Sequence, residues 1–222
     1  MIDAPLISVR GEAVLEVEPE IARLSVHVQA QEEHRGTALD RLTERNKQCL
    51  RLVESFGDAV EKIETGGLLI TPLLKYRRRE GDIRAYQGTA WIKITVRDFT
   101  DLGGMITQLG NLERTSVQGP EWALRRDSEV YARAARQAVH EAVTRARSYA
   151  EALGSRLTGL VELSDEGLGG TSAEYPVALA AGYGRAPGGA PDEPEAIDLE
   201  PAAQTVRAAV VARFTATPPS LD

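Results

Sequence analysis

The chain has 222 residues, a formal net charge of −7 and a single cysteine, Cys49. A chain of this length can be one large domain or two small ones, and a single domain would bury about 70% of its unfolded surface, so core size is not limiting. A net negative charge with both signs spread along the chain disfavours nucleic-acid or acidic-membrane partners, and one cysteine permits neither an intramolecular disulfide nor a thiolate zinc site.

Val9, Ala13, Leu15 and Val17 alternate with Glu12, Glu16 and Glu18, the period of a strand with one dry face. Pro19-Glu20 breaks that run, and Ala22, Leu24, Val26, Val28 and Ala30 begin a second alternation, so the two runs predict an antiparallel hairpin turned at Pro19. A helix is expected from Thr37, as its cap, to about Phe56, with Leu42, Cys49, Leu52, Val53 and Phe56 on one face. Val60 to Leu74 and Ile83 to Val96 read as paired strands, and the basic run Lys75, Arg77, Arg78 and Arg79 lies at the turn between them. Phe99, Leu102, Ile106 and Leu109 predict a short helix, weakened by Gly103-Gly104 at about 1 kcal/mol each against alanine. Ser116 to Arg125 reads as a strand in which Gly119-Pro120 marks a bulge or an edge.

The longest helical signal runs from Ser128 to Gly154, with Asp127 and Ser128 as cap oxygens and Gly154 as a left-handed stop. Ala132, Ala135, Val139, Ala142, Ala146, Tyr149 and Leu153 fall on one predicted buried stripe. An alanine stripe lets another backbone approach closely. Glu129 with Arg133 and Glu141 with Arg145 stand four apart in the favourable order. A short strand follows at Leu160 to Leu163, then a Gly/Pro-rich stretch at about 167–196 without sustained period, expected to be a flexible loop. Val206 to Ala216 alternates again as a closing strand.

These pieces in this order resemble the SIMPL-domain family, a domain of unknown function with envelope, stress-related and kinase-associated adaptor members. The resemblance is carried by ISVRGEAVLEVEPEIARLSVHV, AVEKIETGGLLITPLLKY, AYQGTAWIKITVRDFTDLGGMI, ARAARQAVHEAVTRARSYAEALG and LEPAAQTVRAAVVARF, across about residues 7 to 216. It implies one α+β domain over 1–222, built of antiparallel hairpins with one long and two shorter helices. It also implies that some members sit in the envelope, respond to stress or assemble into rings, and it implies no catalytic residues. The family's usual Pro-Asp at the first turn is Pro19-Glu20 here. The sequence shows no charged leader followed by an apolar segment and no run of about 18 apolar residues, so a cytoplasmic protein without membrane insertion is expected.

No catalytic, cofactor or metal residue is assigned. His27, His34 and His140 lack the local spacing of a metal motif. Cys49 is expected in the core, where a thiol is a poor nucleophile. The glycines of 167–170 and 182–184 lack the strand-to-helix context of a phosphate loop. The first functional expectation is a non-enzymatic, self-assembling scaffold or stress-related protein, and hence a homo-oligomer. A binding module whose 167–194 loop orders on a protein partner or small ligand is the alternative, and an unrecognised enzyme the second alternative.

Overall fold

The computed structural model describes residues 4–74, 83–165 and 197–220. Among the described residues the chain is α+β, with three α-helices and two antiparallel sheets. The elements are β1 (Leu6–Val17), β2 (Ile21–Glu32), α1 (Arg35–Glu54), β3 (Val60–Leu74), β4 (Ile83–Val96), α2 (Leu102–Gly110), β5 (Thr115–Ala123), α3 (Glu129–Ala152), β6 (Leu157–Asp165) and β7 (Gln204–Ala216). They form two compact units, one of β2 to β5 with α1 and α2, the other of β1, β6, β7 and α3. The expected turn at Lys75 to Arg79 and the expected loop at about 167–196 lie outside the described residues.

The first predicted hairpin is corrected. β1 pairs along its length with β7, whereas β2 lies between β4 and β5. Alternation fixes which side chains share a face; it does not name the partner strand, and a break at Pro19 serves a change of sheet as well as a tight turn.

In the unit built on β2, the sheet order is β3-β4-β2-β5. Ala22, Leu24, Val26, Val28 and Ala30 of β2 and Ala90, Ile92, Ile94 and Val96 of β4 are buried on one face, beneath Leu42, Cys49 and Val53 of α1 and Leu102, Met105 and Leu109 of α2. The helical register of α1 is as predicted, but its start is not. His34 occupies the N-cap without a side-chain hydrogen bond, and the Ala38 N–H already bonds the His34 carbonyl at 3.0 Å, which places Thr37 inside the first turn. The register of β2 against β5 shifts between Arg23 and Ser25, opposite Gly119-Pro120, and β5 is an edge strand. The glycine pair of α2 divides in role. A Cβ at Gly103 would collide with the Ile197 carbonyl oxygen, whereas one at Gly104 would meet nothing within 4 Å. Gly103 is therefore the cost of seating the 197–199 segment, whose Leu199 packs on this core.

The second unit is organised by α3 over the sheet β1-β7-β6. Ser128 caps the helix by accepting from the Val130 N–H at 3.3 Å, and Gly154 follows it at φ 62°. Glu141 and Arg145 form their ion pair at 2.6 Å. The buried stripe, however, is Ala134, Ala138, Ala142, Ala146 and Ala150. Of the predicted stripe, Ala142 and Ala146 are buried and Ala135 and Val139 half-buried, while Ala132 is exposed and Tyr149 and Leu153 are 53% and 41% exposed. The reason lies in β1. A Cβ on Gly11 would collide with the Ala138 carbonyl oxygen and stand 2.7 Å from the Ala142 Cβ, so strand and helix backbones meet at nearly the closest approach possible. Only a ridge of alanines at four-residue steps, running obliquely to the axis as such ridges do, admits that approach across a twisted sheet. Val9, Ala13, Val206, Ala208, Val210, Ala212 and Phe214 complete the layer below.

Candidate functional site

The three histidines do not converge. His27 is half-buried on β2 and meets Trp91 edge-on, with ring centroids 6.2 Å apart at 77°. His34 is the exposed N-cap of α1, and His140 is exposed on α3. Among the described residues no group of three or more His, Cys, Asp or Glu stands close enough to hold a metal ion. Cys49 is fully buried, and burial pushes its thiol up to about 11, so it stays protonated at neutral pH and is a poor nucleophile. The glycine runs at 167–170 and 182–184 lie outside the described residues.

What the structure does bring together is a groove beside α3. The helix lies over β1 and β7 and leaves the helix-facing side of the third strand, β6, largely uncovered. Ala135 and Val139 of α3, Ala208 and Val210 of β7 and Leu163 of β6 line a space of about 450 Å³, with Arg136, His140 and Asp165 among its polar residues. Arg136 makes no hydrogen bond or ion pair with another described residue. The lining is mostly apolar, the character of a surface that binds by excluding water.

The groove continues onto the outer edge of β6. Leu160, Val161 and Leu163 are 57%, 53% and 46% exposed, a concentration of large apolar side chains on a nine-residue strand. The register against β7 shifts between Leu157 and Gly159 and again between Leu160 and Glu162, which makes Thr158 and Val161 the extra residues of two bulges. Sequence reading found this strand but not its exposure. The adjacent pair Leu160-Val161 breaks the alternation, and that break is the one signal in the residues that this is not a regular half-buried strand.

The two edges of this sheet are unlike. On β1, the Glu12 N–H donates to Glu141 Oε2 at 3.2 Å and the Arg145 guanidinium donates to the Arg10 carbonyl at 2.7 Å, so the Glu141–Arg145 pair of α3 occupies backbone groups that β7 leaves unpaired. On β6, the outer backbone groups of Leu160 to Ser164 find no partner among the described residues. An unpaired edge of this kind is a template for another strand.

Residues 7–214 match the family model SIMPL, described as a protein of unknown function (DUF541). The chain is also 27% identical over 169 residues to the 26 kDa periplasmic immunogenic protein of Brucella melitensis biotype 1, and equally to that of Brucella abortus strain S19. Each match covers 72% of this chain and 66% of the relative, so the chain spans just under two thirds of the relatives it matches. Both relatives are named as periplasmic, which overturns the cytoplasmic expectation; that expectation was read from hydropathy alone, a weak guide to where a folded domain works. With the family model covering nearly its whole length, the chain belongs to the SIMPL family.

Proposed function

We propose that this SIMPL-family chain is a non-enzymatic protein of the cell envelope that acts as a scaffold by self-association. The observation that carries the proposal is the apolar, unpaired edge of β6 with the groove beside it, because burying Leu160, Val161 and Leu163 against a partner gains roughly 25 cal/mol per Å² removed from water. The envelope setting is supported by the names of the two periplasmic relatives. The binding-module alternative depends on residues 167–194, which lie outside the described residues. Light scattering of the purified protein over a hundredfold concentration range tests the reading: a mass that rises above that of one chain is expected, and a one-chain mass throughout refutes self-association. Release of the protein by osmotic shock tests the envelope placement, and retention with cytoplasmic markers would refute it. A stress-related role is tested by survival of a deletion strain under heat, acid and oxidant.

A further inference from the structure

We propose that β6 is the self-association element, and that it pairs antiparallel with β6 of a second copy to join two three-stranded sheets into one of six strands. The inference rests on the self-association reading and narrows it to one surface and one symmetry.

Three observations point to a second copy on this edge. The sheet β1-β7-β6 has only two edges, and that of β1 is obstructed by Glu141 and Arg145, whose side chains occupy the Glu12 N–H and the Arg10 carbonyl. An incoming strand would have to displace both bonds and break an ion pair. Among the described residues, the β6 edge presents unpaired backbone groups from Leu160 to Ser164 beside exposed Leu160, Val161 and Leu163. A strand added there gains backbone hydrogen bonds and apolar cover together, the combination that strand addition uses.

The second observation is one of charge. Arg156 stands immediately before β6 and Asp165 ends it. An antiparallel copy runs in the opposite direction, so the basic start of each strand approaches the acidic end of the other, twice by symmetry. A parallel copy would set like charges together at both ends. Charge therefore favours the antiparallel arrangement, in which one patch meets itself across a twofold axis.

The third observation concerns growth. Because β1 is obstructed, sheet addition through β6 stops at two copies and does not propagate as a filament. The two edges of the other sheet are less suitable: β3 includes Pro72, which has no N–H to donate, and carries the Lys62–Glu64 ion pair at 2.8 Å, while β5 includes Pro120 at its irregularity against β2, all devices that discourage strand addition.

The test pairs a variant with a measurement on the unaltered protein. Leu160→Lys with Leu163→Lys replaces two exposed side chains, so the fold should survive, with an unchanged circular dichroism spectrum and a thermal midpoint close to the parent's. Light scattering should show the parent at twice the chain mass, or an even multiple of it, and the double variant at half the parent's mass. Amide hydrogen exchange on the parent, dilute against concentrated, should show at least tenfold added protection confined to 157–165, and this reading stands even if the variant misfolds. A variant that keeps the parent's mass, or protection that appears on another segment, overturns the β6 proposal and leaves self-association standing. A parent that stays at one-chain mass overturns both. Protection of 157–165 at one-chain mass, brought by a co-purifying peptide, overturns the second copy in favour of a foreign strand.

Discussion

Gly11→Ala isolates the contact on which the α3 layer depends. The substitution adds one methyl carbon to β1, and that carbon would run into the Ala138 carbonyl oxygen while standing 2.5 Å from the Ala142 nitrogen and 2.7 Å from the Ala142 Cβ. Carbon atoms rest against one another at about 3.5–4.0 Å, so helix and strand must part by on the order of 1 Å at that point. Overpacking of this kind costs about 1–3 kcal/mol. The lost backbone freedom of the unfolded chain offsets about 0.4–1 kcal/mol of it. A net loss of about 1–2 kcal/mol corresponds, at about 2–4 °C per kcal/mol for a chain of this size, to a thermal midpoint lower by about 2–8 °C. Gly104→Ala is the matched control, since its methyl meets nothing within 4 Å and replaces glycine inside a helix, for a gain of about 0.5–1 kcal/mol. The same chemical change should therefore move the midpoint in opposite directions at the two sites, read by circular dichroism or calorimetry. Adding Ala142→Gly to Gly11→Ala should not restore stability, because the Ala138 carbonyl oxygen is backbone and remains in place. A midpoint for Gly11→Ala at or above the parent's, or full rescue by Ala142→Gly, would refute the close-approach account.

Ala142→Glu places an unpaired carboxylate at a fully buried position and should cost on the order of 3 kcal/mol or more, seen as a collapse of the thermal midpoint; an unchanged midpoint would contradict the burial of this ridge. Cys49 should react slowly with a thiol reagent in native protein and rapidly in denaturant, and fast native labelling would overturn its place in the core. Glu113 is held below its ordinary value near 4.5, chiefly by the hydrogen bond from Arg45 and then by that charge. A carboxylate depressed on folding contributes stability that is present above about 4.5 and lost as pH falls through the lowered folded value. Glu113→Gln should therefore flatten the acid limb of the denaturant midpoint below pH 5, and an acid limb identical to the parent's would remove Glu113 from the cause.

Which of these features could be read from the residues follows from what each depends on. The existence and ends of α3 depend on local signals, Ser128 before the helix and Gly154 after it, and those signals are in the sequence. Its buried face depends on what lies beneath. Alanines at 132, 134, 135, 138, 142, 146 and 150 spread around the helix, and no periodicity chooses among them until Gly11 is known to lie under Ala138 and Ala142. The strands β3 and β4 were legible to the residue because a local hairpin needs no distant partner. The partner of β1 was not, since β7 lies at the far end of the chain. The candidate surface on β6 was hidden for a related reason. Leu160, Val161 and Leu163 look like core residues, and they are exposed only because α3 stops at β7.

The pairing of β1 with β7 also sets a timetable. Leu6 to Val17 meets residues 204 to 215 and the strand that closes the sheet is its central one. At a synthesis rate of about 5–20 residues per second, β1 waits on the order of 10–40 seconds for the strand that must lie beside it. Through that interval α3 has no complete sheet on which to seat its alanine ridge, whereas β2 to β5 have already been made. A ribosome that stops before residue 204 releases a chain in which one unit has all its strands and the other lacks its middle. Such a product would expose Val9, Ala13 and the helix ridge to water, and quality-control proteases would have an unfinished sheet by which to tell it from the full-length protein.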